Sequence, residues 1–186
     1  MRTAIARLHG VSPMSQSRMH VTPRLEKEGP DDWEKRTWRE KLHFDGKGNV
    51  FIPPMALKWS VSEAAKMTGR QIPGRGKSTY TKHFEAGLLC TEPVPLGLRK
   101  DEVEGEWLYV HANGVRGSGK RVWRCFPKIP EDWVVEASFV ILDETVTPPV
   151  FEEHLREAGS FVGVGRFRPR QGGYYGRFVV ERVTWA

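Results

Sequence analysis

The chain has 186 residues, 39% of them hydrophobic and 28% charged, which excludes a disordered polymer and gives one well-cored domain while leaving little room for a second. No apolar run approaches the roughly 18 residues of a spanning helix and no N-terminal stretch has signal-peptide character, so a cytoplasmic protein with no membrane partner is expected. Net charge is +6 with a pI near 9.5; two cysteines in apolar surroundings, Cys90 and Cys125, and six histidines without metal-site spacing point away from a disulfide scaffold, a metal or a cofactor.

Thr3–Leu8 alternates as a first strand, and Ser12–Arg24, polar with two prolines, reads as a long exposed loop. Asp31–Phe44 carries Trp33, Trp38, Leu42 and Phe44 among charges and reads as a helix then a strand, or as a loosely packed insertion. The turn Asp45–Asn49 leads into Val50–Ile52, giving a hairpin. Pro53-Pro54 opens a helix over Met55–Thr68 with a stripe of Leu57, Val61, Ala64, Ala65 and Met67, and Gly69 ends it. Ser78 or Thr79 caps a second helix running through Glu85 to Leu89. Thr91–Leu98, Trp107–Val110 and Val122–Phe126 follow as strands, with a glycine-rich loop at Asn113–Lys120.

Trp133–Leu142 is the clearest strand, with Val135, Ala137, Phe139 and Ile141 on one face. Thr147 and Pro148 start a helix in which Phe151, Leu155 and Ala158 share a face, and Gly159 stops it. The last strand is expected over Tyr175–Trp185, with Tyr175 and Arg177 on one face and Phe178 and Val180 on the other. This order predicts an α+β fold: a ferredoxin-like, RRM-like antiparallel sheet with helices on one face and glycine-rich basic loops, formed by residues 1–186 as one domain.

The bases come in bands. Lys66, Arg70, Arg75, Lys77 and Lys82 have no acid between Glu63 and Glu85, and Arg116, Lys120, Arg121, Arg124 and Lys128 none between Glu106 and Glu131. The third band is the segment Gly163–Arg177, GVGRFRPRQGGYYGR, with five glycines, four arginines, three aromatic rings and no acid. Acids gather instead at Glu26–Glu40 and Asp101–Glu106. If the fold joins these bands, they form one electropositive face; otherwise they are separate solvated loops.

Arginine forks suit phosphate oxygens, rings stack on bases, and glycine lets a backbone come close to a polyanion. The expected contacts are therefore Arg70, Arg75, Lys77, Lys120, Arg121, Arg166, Arg168, Arg170 and Arg177 for phosphates, Tyr174, Tyr175 and Trp123 for bases or sugars, and Gly74, Gly76, Gly163, Gly165, Gly172, Gly173 and Gly176 for close backbone approach. Gly69–Lys77, GRQIPGRGK, lacks the spacing of a nucleotide-hydrolysing phosphate loop. No catalytic set stands out; His20 or His43 as a general base, with Asp31, Asp32 or Asp45 for a divalent ion, is the arrangement an RNA-cleaving variant would use.

The stretch Ile129–Trp185 resembles the repeat-associated RNA-binding (RAMP) superfamily of CRISPR effector proteins, and in particular its backbone subunits, through the helix Pro149–Ala158, the glycine-rich loop Gly163–Gly176 and the closing Gly176-Arg177-Phe178. Ile52-Pro53-Pro54 before the helix at Met55 resembles the proline-led first helix of that family, and Gly69–Leu89 corresponds to its second helix and basic loop. The resemblance implies a ferredoxin-like palm that holds single-stranded RNA or DNA, and a homo-oligomer or filament alongside other effector subunits. It also implies a thumb-like extension, placed either within residues 12–48 or at the hairpin 111–121. The chain is short for a backbone subunit, so a phage-encoded single-strand binder and a phage inhibitor that mimics or contacts effector subunits are both implied alternatives, as is a RAMP-type endoribonuclease.

Overall fold

The computed structural model describes residues 1–115, 117 and 119–186. In chain order the elements are β1 (Arg2–Gly10), β2 (Met14–Ser15), α1 (Pro30–Thr37), β3 (Asn49–Ile52), α2 (Pro54–Thr68), α3 (Thr81–Gly87), β4 (Leu88–Leu89), β5 (Val94–Arg99), β6 (Glu104–His111), β7 (Arg121–Ile129), β8 (Val134–Ile141), α4 (Pro148–Glu157) and β9 (Phe178–Trp185). Strands β4, β8, β1 and β9 form one antiparallel sheet in that order, β2, β7 and β6 a second, and β3 with β5 a third. The fold is mixed α/β with antiparallel sheets, and the order of the four-stranded sheet is consistent with a ferredoxin-like arrangement.

The sequence patterns explain these elements. In β8, Val135, Ala137, Phe139 and Ile141 are all buried, as the period of two requires. Helix α2 starts on Pro53-Pro54, ends on Gly69 in the left-handed conformation, and buries Leu57, Val61, Ala64 and Ala65; Met67 stays exposed. Helix α4 buries Phe151 and Leu155, with Phe151 edge-on to Phe139 at 5.3 Å. These side chains join Ala4, Ala6 and Leu8 of β1 and Phe178 of β9 in one core.

The outward-facing side chains of the large sheet include Ile5, Glu136 and two ion pairs, Arg7–Glu181 at 2.7 Å and Arg182–Glu136 at 3.6 Å. Those side chains carry no benzene or indole ring, so this face lacks the stacking platform of an RRM-like sheet. Exposed aromatic side chains lie instead on the ribbon formed by β6 and β7, at Trp107, Tyr109 and Trp123, and outside the sheets at Trp59, Phe161, Phe167 and Tyr174. Arg116 and Ser118, within the loop between those strands, lie outside the described residues.

Several expected boundaries move: Met14–Ser15 pairs as β2 inside the stretch read as an exposed loop, and the chain passes Gly159 in a π-turn before it leaves the helix. The segment Asp31–Phe44 is a helix followed by a 3-10 turn, Trp38–Lys41, and contributes only the isolated bridge Phe44–Val50 to a sheet. The last strand begins at Phe178 rather than Tyr175, because the residues before it are folded into a loop that packs against β2.

Candidate nucleic-acid interface

The glycine–arginine segment is a folded loop, not an open turn. Helix α4 runs into a π-turn, Ala158–Val162, and Gly163 leaves it at φ 71°. The backbone is then tied to β2 and its approach: Arg166 N–H donates to Ser15 O at 2.6 Å and Gly176 N–H to Pro13 O at 2.8 Å. Val164 N–H donates to Gly176 O at 3.0 Å, and Ser60 Oγ of α2 donates to Gly163 O at 3.0 Å.

This internal packing accounts for the glycines. A Cβ on Gly165 would lie 2.3 Å from Ser15 O, on Gly173 1.7 Å from Phe167 O, on Gly176 1.9 Å from Val164 O, and on Gly163 2.7 Å from Pro169 Cδ. The close neighbours of these four are the protein's own atoms. Gly74, Gly76 and Gly172 have positive φ and open space around them.

The arginines of the loop divide. Arg166 stacks over Phe126 of β7 at 3.5 Å from the ring centroid, and Nη1 is buried without a hydrogen-bond partner. Arg168 lies over Trp59 of α2 at 4.3 Å; Nη1 donates to Gly165 O at 2.7 Å, and its buried Nε has no partner. Burial pushes the pKa of both guanidinium groups down. Arg170 is paired with Glu63 of α2 at 2.7 Å, and Arg177 donates to Ser160 O.

The rings divide too. Tyr175 is buried, not outward-facing, and donates its hydroxyl to Glu106 Oε2 at 2.5 Å; burial, helped by that carboxylate, pushes its pKa up to about 12. Tyr174 and Phe167 remain exposed. Phe167 holds a left-handed backbone, φ 52°, a strained conformation for an aromatic residue.

Three cavities join around this loop. The largest, about 630 Å³, lies between the loop and the ribbon and is lined by Lys41, Tyr109, Arg121, Arg124, Phe126, Arg166 and Phe167 among others. A second of about 360 Å³ shares Arg166 and adds Gln16, His43 and Arg168. A third of about 340 Å³ shares Gly165 and Arg168 and reaches Met55 and Trp59 at the start of α2. Together they make a groove with cations along its length.

Lys41 and Arg124 are held there by a buried carboxylate. Glu34 of α1 accepts from Lys41 Nζ and, at 2.8 Å, from Cys125 N–H, while Arg124 Nη1 stands 3.6 Å from its other oxygen. Lys41 Nζ also donates to Cys125 O at 2.8 Å and sits 4.6 Å from the Phe126 ring; burial pulls its pKa down. Both cysteines are free and buried, which pushes their thiols up to about 11.

The basic bands do not all meet. The second and third share the groove through Arg121, Arg124, Arg166 and Arg168. The first sits beyond the other end of α2, whose 15 residues span roughly 22 Å. There Arg70 is bound by Glu153 and Glu157, Arg75 is 3.4 Å from Thr145 Oγ1, and Lys77 is exposed. Lys120 is exposed near the ribbon tip. Trp123 is exposed, but alternation along β7 puts it on the face opposite Arg124 and Phe126. Lys41, Trp59, Arg124 and Phe126 were not among the expected contacts. The i, i+2 spacing of Arg124 and Phe126 was a usable signal, since it puts a cation and a ring on one strand face.

Of the histidines and acids considered for cleavage, His20 stacks on Trp33 at 5.2 Å, and Asp45 is engaged by Lys47 N–H, Asn49 N–H and the Asn49 amide. Only His43 lines the groove. No cluster of three or more potential metal ligands occurs among the described residues, and no helix among them is long and apolar enough to cross a membrane.

No protein-family model and no curated protein matches the sequence. Solved structures do match the fold. A chain of the cryo-EM structure of the Type III-B Cmr-beta bound to cognate target RNA aligns with 99% of this chain at a TM-score of 0.57 and 12% identity; this protein spans 60% of that chain's length. Cmr6 from Pyrococcus furiosus aligns over 97% of this chain and 98% of its own, at 0.48 and 13% identity. A chain of a CRISPR RNA-guided surveillance complex aligns over 98% of this chain and 68% of its own, at 0.44 and 12%. The first of these carries the fold comparison: the chain is similar in fold, at low sequence identity, to a chain of the Type III-B Cmr-beta assembly bound to cognate target RNA.

Proposed function

We propose that the chain is a single-stranded nucleic-acid-binding subunit of an oligomeric complex, holding the phosphate backbone in the groove beneath residues 163–168. The supporting observation is the pair Arg166 and Arg168, each half-buried, neither in an ion pair among the described residues, and each with a buried N–H that no acceptor meets. A guanidinium removed from water without a counter-charge costs several kcal/mol. Phosphate oxygens entering the groove repay that cost with charge-assisted hydrogen bonds. Lys41, Arg121 and Arg124 extend the track, exposed Lys120 follows Arg121 toward the ribbon tip, and Phe167, Tyr174 and Tyr109 offer exposed rings for bases. Arg70, Arg75 and Lys77 act at a distance, steering the polyanion rather than gripping it.

We read the four-stranded sheet and its helices as a ferredoxin-like palm, the whole chain as one domain, and the β6–β7 ribbon as its thumb-like extension. The fold similarity to a chain of a target-RNA-bound assembly supports an effector-subunit role and makes single-stranded RNA the first ligand to test. The test is size-exclusion chromatography with absorbance at two wavelengths, followed by fluorescence anisotropy with labelled single-stranded RNA and DNA. Binding that weakens as salt rises is expected. A clean monomer with no affinity for either strand refutes the reading.

A second reading, RNA cleavage, has one observation in its favour: His43 lines the groove beside Arg166 and Arg168, and burial lowers its pKa, which favours the neutral imidazole that a general base needs. It predicts cleavage that His43→Ala abolishes; intact RNA after prolonged incubation removes it.

A further inference from the structure

The ribbon has a second face, whose Tyr109 also borders the groove but whose two indoles do not. Trp107 and Trp123 stand on it with 41% and 51% of their surface exposed, and Tyr109, 53% exposed, lies against Trp123 at 5.3 Å. Large exposed rings gathered on one face offer an apolar contact surface. Among the described residues the two indoles make no ring contact with each other; they line a cavity of about 240 Å³ together with Asp31 and Lys35 of α1. Asp31 has no hydrogen bond or ion pair among the described residues, whereas the Lys35 ammonium is turned to Asp32 at 3.3 Å. The slot therefore combines two π faces with one unanswered carboxylate.

We propose that this slot binds a cation, and specifically an arginine side chain of a protein partner. Indole faces attract cations, a planar guanidinium stacks on them, and its fork fits a carboxylate. Charge sets the choice between an arginine and a nucleobase. Asp32 is paired with Lys35 and Glu28 with Arg36, but the carboxylates of Asp31 and Glu26 have no ion-pair partner among the described residues, so the phosphates attached to a base would meet repulsion here. The opposite face of the same ribbon carries Arg124, with Arg166 stacked on Phe126, so positive charge gathers there and not at the indole slot.

The proposal is independent of the nucleic-acid reading and is tested on the full chain by following the indole N–H resonances of Trp107 and Trp123, assigned with the single variants Trp107→Phe and Trp123→Phe. The probe is Nα-acetyl-arginine methylamide, compared with its neutral isostere, the citrulline methylamide. Saturable shifts at both indoles are expected, with the citrulline compound weaker by at least about fivefold. Asp31→Asn is expected to weaken arginine binding by a similar factor while leaving thermal unfolding unchanged. Equal binding of the citrulline compound, shifts produced by a nucleoside monophosphate instead, or no shift at either indole would overturn it.

Discussion

Replacing Arg166 and Arg168 together by methionine should move binding and stability differently. Methionine keeps most of the volume against Phe126 and Trp59 but removes the charge. Each guanidinium–phosphate contact contributes about 1.5–3 kcal/mol, so losing both costs roughly 3–6 kcal/mol, or about a hundredfold to ten-thousandfold in affinity. Two fewer phosphate contacts should flatten the dependence of log K on log salt by about 1.4. The folded state loses two cation–π contacts, about 0.5–2 kcal/mol each, and the Arg168 bond to Gly165 O. It also sheds the desolvation penalty of two unpaired charges, which is of comparable or larger size. Net stability should therefore stay within about 2 kcal/mol of the parent. Anisotropy with single-stranded RNA over a salt series, alongside chemical denaturation, reads both quantities. Unchanged affinity and slope would refute the placement of phosphate in this groove. A collapse in stability with lost binding would show that the arginines hold the loop together instead.

Other outcomes follow from the same geometry. Gly176→Ala should destabilise by more than about 2 kcal/mol, since its Cβ meets Val164 O at φ 73°; Gly172→Ala, in open space, should cost only the left-handed backbone penalty of about 1 kcal/mol, as denaturant midpoints will show. Tyr175 titrates near 12 in the fold, above the ordinary tyrosine value of about 10, so its neutral hydroxyl stabilises fully below pH 10 and that contribution fades as pH climbs through 12. Its size is about 1–3 kcal/mol, and the stability difference between parent and Tyr175→Phe should shrink over that window. A constant difference would mean the hydroxyl does not titrate against Glu106. Glu34→Ala strands the buried Lys41 ammonium and should cost about 3–5 kcal/mol in thermal or denaturant unfolding; a loss below about 1 kcal/mol would show that the carboxylate does not hold this corner.

Much of the scaffold was legible because its signals are local. The period-two alternation of β8, the proline-led start and glycine stop of α2, and the Thr147-Pro148 entry to α4 each lie within a few residues, and each appears as read. The groove was only partly legible. Arg166 and Arg168 were visible as cations in a glycine-rich segment, but nothing near them in sequence says that one stacks on Phe126 and the other on Trp59, or that Arg170 finds Glu63. Lys41 looked like part of a charged insertion until Glu34 and Cys125 enclosed it. Composition and short-range periodicity settled β8, α2, the start of α4 and the surplus of positive charge, because backbone preferences act between neighbours. The tertiary structure alone decided which charges meet carboxylates and which do not, because that depends on segments far apart in sequence and on strand phase, where one residue turns a side chain to the opposite face.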